Sequence, residues 1–212
     1  MVGGGLGGIL LSGFEANPGN TYAYIGTILP VYKSWSDSIV QRYWVDHLTY
    51  SYKKDGHIIH ANSWGGEASL GYREAAQWGR WGVFAGLLYR DTHFSPDDPD
   101  SRARGGIVRA RFQFEGERTI TDRLRASAIT SFVPGQYSYW ARGRLLYRVG
   151  ERVSIGPEVI GLGDPDFNIM QYGWVVAGIR FWSQLDIGLK GGARMTDQGT
   201  TGYAGIELSH PY

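Results

Sequence analysis

The feature that most restricts this chain is a period of two running almost from end to end, with glycine or arginine on the polar parity. Val108, Ala110, Phe112 and Phe114 alternate with Arg109, Arg111, Gln113 and Glu115. Tyr137, Tyr139, Ala141, Leu145 and Tyr147 alternate with Ser138, Arg142, Arg144 and Arg148. Leu185, Ile187, Leu189 and Ala193 alternate with Asp186, Gly188, Lys190 and Arg194. Such alternation is the signature of strands, and no sustained 3.6-residue stripe competes with it. No run approaches the ~18 apolar residues of a membrane-spanning helix.

Turn-forming residues cut the pattern at 17–20, 34–38, 54–56, 77–80, 95–100, 116–118, 134–135, 150–151, 163–166, 183–184 and 196–199. These breaks leave twelve strands. A membrane-crossing strand needs ~9–11 residues, and 212 residues provide room for twelve. The connections after the fifth and ninth strands, 92–101 and 163–168, look long or rich in Pro and Asp, and most of those after even strands look short. Short periplasmic turns with longer outer loops are the habit of outer-membrane barrels. Both termini are then expected on the periplasmic side, with 92–101 facing outward.

A soluble β-sandwich also alternates, but its wet face favours Lys, Glu, Ser and Thr. Here the polar parity carries Gly and Arg, and the chain has 17 Arg against 4 Lys. Planar guanidinium groups pair with carboxylates in crowded polar interiors, and glycine on the same parity leaves room for them. The opposite parity is rich in the 30 aromatic residues, as a lipid face with aromatic girdles should be. The expected fold is all-β: a closed, antiparallel, up-and-down transmembrane barrel of about twelve strands over 9–212. Residues 1–8 read as a flexible glycine-rich leader, and a signal peptide is not recognisable there. The alternating C-terminal stretch ending at Tyr212 looks like a barrel-assembly signal.

Candidates for lining or plugging the lumen are Arg42, Glu67, Arg73, Arg109, Arg111, Arg123, Arg125, Trp140, Arg142, Arg144, Arg148, Glu158, Arg180, Asp186 and Lys190. Catalytic chemistry is poorly represented. The histidines are His47, His57, His60, His93 and His210, no Gly-x-Ser-x-Gly elbow is present, and His57 and His60 have opposite parity. They read as solvated or interface side chains. Zero cysteine excludes thiolate metal sites and disulfides. Asp97, Asp98 and Asp100 could attract calcium, though without EF-hand spacing. No cofactor or metal is expected, and a net charge of +1 argues against a nucleic-acid partner.

The stretch Tyr139-Trp140-Ala141-Arg142-Gly143-Arg144, with Tyr147, Ile155-Gly156-Pro157-Glu158 and Leu162-Gly163-Asp164, resembles the bacterial cellulose biosynthesis protein BcsS family. Ser12-Gly13-Phe14-Glu15, Tyr22-Ala23-Tyr24-Ile25-Gly26, Tyr50-Ser51-Tyr52, Gly71-Tyr72 and Ser95-Pro96-Asp97-Asp98-Pro99 fit the same pattern. The pattern departs at Tyr172, where an arginine, and with it a lumen charge on strand 10, is expected. The resemblance implies a bacterial outer-membrane barrel with a non-enzymatic accessory role in cellulose synthesis or export. Its expected partners are outer-membrane lipid, cellulose or an oligosaccharide, and subunits of the synthase complex. The parity itself allows Arg142 or Arg144 to pair with Glu158 across neighbouring strands. Such a pair either rigidifies a plugged lumen or lines a saccharide path with Trp140 as a ring platform. The alternative function is an Arg-lined passive channel for small or acidic oligosaccharides.

Overall fold

A computed structural model describes residues 7–34, 37–165, 167–180 and 184–212. The turns behave as their residues dictate. At Asn17-Pro18-Gly19-Asn20, proline presets one φ and Gly19 supplies φ +84°, which closes β1 (Ile9–Asn17) onto β2 (Asn20–Ser34). At Lys54-Asp55-Gly56-His57, Asp55 and Gly56 both take positive φ, the geometry whose twist matches a hairpin, here between β3 (Asp37–Lys54) and β4 (His57–Ala76). The chain continues as β5 (Gly79–Ser95), β6 (Gly105–Thr119), β7 (Leu124–Val133), a 3-10 turn (Pro134–Gln136), β8 (Ser138–Arg148) and β9 (Ser154–Asp164). It ends with β10 (Phe167–Arg180), β11 (Asp186–Thr196) and β12 (Gly199–Pro211).

Each strand pairs antiparallel with the next, and β12 returns to β1 through Gly13↔Glu207 and Glu15↔Gly205. Closure gives every strand a partner on both sides. Irregularities in register fall at Pro30–Tyr32 in β2 and Val176–Ile179 in β10, and the first accommodates a proline that cannot donate to the ladder.

Three expected boundaries move. β6 runs through 116–118 to Thr119, so its turn lies at 120–123. β5 continues to Ser95, which reduces the outer loop to 96–104. The β9–β10 connection is tight rather than long, because β9 itself extends through Gly163 to Asp164. The break expected at 34–38 and the one at 183–184 fall partly outside the described residues.

The two faces are inverted relative to a water-soluble protein. Leu70, Leu87, Trp174 and Val108 point outward and are more than half exposed. The inward parity holds Arg42, Asp46, Glu67, Glu158 and Gln171, all buried. An apolar band of this kind belongs against lipid. The band has limits. Trp81, Tyr72 and Tyr147 face outward toward the end that carries the termini, and Trp64, Tyr89 and Tyr139 toward the other. Beyond Trp64 and Tyr89 the outward positions of β3–β5 become polar: His47, Thr49, Ser51, His60, Asn62, Asp91 and His93. His47 Nε2 bonds Asn62 Oδ1 at 3.0 Å and Ser51 Oγ bonds His60 Nδ1 at 2.8 Å across these strands.

β3, β4 and β5 have 18, 20 and 17 residues and are the longest in the barrel. β2 begins pairing with β3 at Thr21↔Thr49, so β3 runs on to Lys54 without that neighbour. At ~3.3 Å per residue on tilted strands, the extension rises roughly 10–15 Å above the adjacent rim. Its inner face is apolar. Tyr50, Ala61 and Phe94 form one cross-strand row, with Tyr52 and Ile59 above it.

Candidate functional site

The inward side chains gather into a charged belt near mid-height, in two halves. One half crosses β3–β7. Arg42 on β3 pairs with Glu67 on β4 and lies over the Phe84 ring, its Cζ 4.7 Å from the centroid. Glu67 also accepts from Arg111 of β6 at 2.7 Å and from Ser69 at 3.0 Å. Arg111 reaches on to Ser131 of β7 at 3.2 Å. Glycine makes this reach possible: Gly86 lies between Ser69 and Arg111 in the register, and a Cβ there would stand 2.2 Å from the Ala68 carbonyl oxygen.

The other half crosses β8–β1. Arg144 of β8 donates to Glu158, its direct register partner on β9, at 2.5 Å, and to Glu207 of β12 at 2.7 and 2.8 Å. Arg142 also donates to Glu207, at 3.1 Å, and its Cζ lies 5.7 Å from the Trp140 ring centroid. Lys190 of β11 pairs with Glu15 of β1 at 2.7 Å and lies 3.6 Å from Glu207. Gln171 of β10 donates to Glu15 at 2.6 Å, and the Tyr203 hydroxyl to Glu158 at 3.4 Å. β8 and β12 are four strands apart and β10 and β1 are three, so these bonds are chords across the lumen rather than contacts along its wall.

The centre of the belt is removed from solvent. Side-chain exposure is 0% at Glu158, 2% at Glu67, 6% at Arg42 and 9% at Arg144 and Lys190. Arg111, Arg142, Glu207 and Glu15 at its margins keep 21%, 18%, 19% and 15%. The three cations Arg142, Arg144 and Lys190 face the three carboxylates Glu15, Glu158 and Glu207, so charge cancels locally. Beside the belt, Tyr24 stacks on Trp44 with centroids 4.5 Å apart. Those rings lie over Gly13 and Gly26, where any side chain would collide with them.

Other predicted residues lie elsewhere. Arg73 faces inward and pairs with Glu115 at 2.9 Å. Arg109 faces inward, donates to the Val108 carbonyl at 3.1 Å, and keeps a buried Nε without a partner. Arg125 pairs with Glu117 at 3.5 Å near the terminal end. Arg123 is not on a strand: it lies in the β6–β7 turn, because β7 begins only at Leu124. Arg148 ends β8 and bonds the Asp122 carbonyl, outside the belt. Arg180 and Asp186 pair at 2.9 Å where β10 ends and β11 begins, at the terminal-side mouth. Tyr172 points to the lipid face, so no residue at that position could place a charge in the lumen. Glu15, Asp46 and Arg90 belong to the inner network and were not singled out by pattern; Arg90 pairs with Asp46 at 2.5 Å.

The loop carboxylates are already engaged. Asp97 pairs with Arg104 at 2.8 Å, Asp100 with Lys54 at 3.1 Å, and buried Asp98 accepts from Lys54 at 2.7 Å and Tyr52 at 2.5 Å. The Lys54 bond, then the Tyr52 bond, hold the Asp98 carboxyl below its usual range. Burial, reinforced by Asp98, raises the Tyr52 phenol. Among the described residues, no group of three or more His, Asp or Glu is arranged to hold a metal.

The family model for cellulose biosynthesis protein BcsS matches residues 9–212. The chain belongs to that family. No curated protein matches it. Among solved structures, the barrel is similar to the KdgM porin in complex with disordered oligogalacturonate, with TM-score 0.56 and 11% identity over 94% of this chain and 97% of that one. It is also similar to the TodX monoaromatic hydrocarbon channel deltaS2 mutant, with TM-score 0.56 and 8% identity over 97% of this chain and 88% of that one. At such identities the likeness is one of fold: a closed barrel of the outer-membrane type. Membership of the BcsS family assigns the chain to cellulose biosynthesis.

Proposed function

We propose that this BcsS-family barrel sits in the bacterial outer membrane as a non-enzymatic accessory to cellulose synthesis or export, and that it works as a closed platform rather than a conduit. The carrying observation is the belt: Arg144 clamped between Glu158 and Glu207, with Glu158 fully removed from water. Removing one partner from a buried pair costs about 3–5 kcal/mol, so several such pairs resist opening together. Outer-membrane lipid contacts the apolar band, and a glucan or synthase subunits meet the barrel at its ends. Planar-bilayer recording of the purified barrel tests the closed state, with no steady conductance expected. A steady, large conductance would overturn it. Hydrolysis of lipid or cello-oligosaccharide, lost in His60→Ala, would overturn the non-enzymatic reading.

A second reading is a passive Arg-lined channel for small or acidic oligosaccharides. It is favoured by Arg109 and Arg194, which face inward and, among the described residues, form no ion pair with a carboxylate; Arg194 bonds Asn17 Oδ1 at 2.6 Å. The fold neighbour bound to oligogalacturonate fits the same reading. Anion-selective conductance abolished by Arg142→Ala with Arg144→Ala would decide for it.

A further inference from the structure

The end of the barrel that carries the termini has a feature that the belt does not use. The turns 77–78, 120–123 and 149–153 follow one another along that rim, below β4–β9. Each holds a large apolar side chain out in solvent: Trp78, Ile120 and Val149 are 50%, 50% and 59% exposed. They lie past Tyr72, Trp81 and Tyr147, where the outward aromatic band ends. The turns are fixed by their own hydrogen bonds. Ala76 pairs with Gly79, so Gln77 and Trp78 form a two-residue tip. The Ile120 N–H donates to the Leu124 carbonyl at 2.8 Å, and the Val149 N–H to the Val153 carbonyl at 3.0 Å. The Arg148 N–H donates to the Arg123 carbonyl at 2.8 Å, which ties one turn to the next. A surface set in place before its partner arrives loses less freedom on binding.

Arginine surrounds these tips. The stretches 77–80, 117–125 and 147–153 hold six Arg, no Lys and three carboxylates, an excess of three positive charges. Glu117 takes Arg80 at 2.9 Å and Arg125 at 3.5 Å. Arg118, Arg123, Arg148 and Arg152 are exposed and, among the described residues, form no ion pair with a carboxylate. A cleft of about 390 Å³ opens between turns 120–123 and 149–153, with Arg123, Arg148 and Val149 in its wall beside Asp122 and Glu151. Arg80, Arg125 and Arg148 have the inward parity, so they border the mouth rather than the surrounding lipid. Lipid headgroups reach only the outer perimeter of a barrel, whereas a protein can cover its mouth. Trp and Arg are also the side chains that anchor protein interfaces. We infer that this sector of the rim docks a protein segment in which carboxylates alternate with apolar side chains. The carboxylates meet the unpaired arginines, and the apolar side chains cover Trp78, Ile120 and Val149. This end of an outer-membrane barrel faces the periplasm, so the inference rests on the placement proposed above and gives the synthase-side partner its chemistry.

The test uses the whole barrel in nanodiscs of zwitterionic phosphatidylcholine, with a fluorescent peptide of alternating Glu and Leu as the probe. Counterparts with Lys for Glu, or Ser for Leu, are the comparisons. Anisotropy, corrected for empty nanodiscs, gives a Kd of about 100 μM or tighter for the first peptide and binding about tenfold or more weaker for the others. Arg118→Ala with Arg152→Ala weakens binding about tenfold, and so does Trp78→Ser with Val149→Ser. Binding also falls in about 1 M salt, where charges are screened beyond about 3 Å. All four side chains are exposed, and heat-modifiable mobility on a gel shows that the variants remain folded. A flat titration overturns the inference, as does binding indifferent to both double variants. Association only with phosphatidylglycerol vesicles, lost in the arginine variant, also overturns it and assigns these arginines to lipid headgroups. The chain has no cysteine, so Val149→Cys carries a single label. A bulky maleimide reaches it only once the periplasm is opened; labelling in intact cells overturns the periplasmic placement. Normal cellulose in a deletion strain, with peptide binding intact, sinks the accessory role and leaves the docking surface standing. Lost cellulose with a flat titration sinks the docking surface alone.

Discussion

Glu207→Ala is the sharpest probe of the belt. The carboxylate receives Arg142 at 3.1 Å, Arg144 at 2.7 and 2.8 Å, and lies 3.6 Å from Lys190. Its loss leaves three cations facing only Glu15 and Glu158. Orphaning a buried charge costs about 3–5 kcal/mol. Glu207 and Arg142 keep 19% and 18% side-chain exposure, which places the expected cost at the lower end, about 3 kcal/mol. For a chain of this length 1 kcal/mol corresponds to about 2–4 °C, so the unfolding midpoint should fall by about 6–12 °C. Arg142→Ala in the same background removes one orphaned cation and should restore about 1–2 kcal/mol, a non-additivity expected of direct neighbours. Urea unfolding in lipid vesicles and the temperature of the heat-modifiable gel shift read both effects. A loss under about 1 kcal/mol for Glu207→Ala would mean that solvent screens the pairs as it does on a surface. The closed-lumen argument would then be refuted.

Arg144→Lys keeps the charge but cannot span Glu158 and Glu207 with three parallel donors; a loss of about 1–2 kcal/mol in the same urea assay is expected. Gly156→Ala places a Cβ 1.8 Å from the Leu145 carbonyl oxygen, so β8 and β9 must part, and the yield of heat-modifiable barrel should drop sharply. The loop tie at Asp98 has a defined pH sense. Its folded pKa is depressed, so its contribution is complete above the unfolded value of about 3.9 and is lost as pH falls through the lower folded value. Protease nicking of 96–104 should therefore accelerate below about pH 4, and Asp98→Asn should show faster nicking already at neutral pH.

The alternation made the barrel, its strand number and its two faces readable before any coordinates, because a period of two has one structural meaning when both faces are specified. The Arg144–Glu158 pair was readable for the same reason: adjacent strands with inward parity place them opposite each other. Glu207 was not. Its bonds to Arg142 and Arg144 join β12 to β8, and nothing local in either strand encodes a chord across the lumen. Arg123 failed for the opposite reason. Parity was extended past the strand end into a turn, where alternation has no meaning. The glycines were read as space for arginine. That holds at Gly65, beside Asp46 and Arg90, but at Gly13 and Gly26 the space is filled by aromatic rings. Parity says that a residue faces inward, not what lies over it.

The height of β3–β5 has one more consequence. A barrel with a level rim looks the same from every approach in the membrane plane; this one does not. Its tall sector puts a wall on one flank and leaves the opposite flank, from β7 to β12, low. The molecule therefore has a front and a back. Anything that approaches in the membrane plane meets a wall from one side and a low rim from the other.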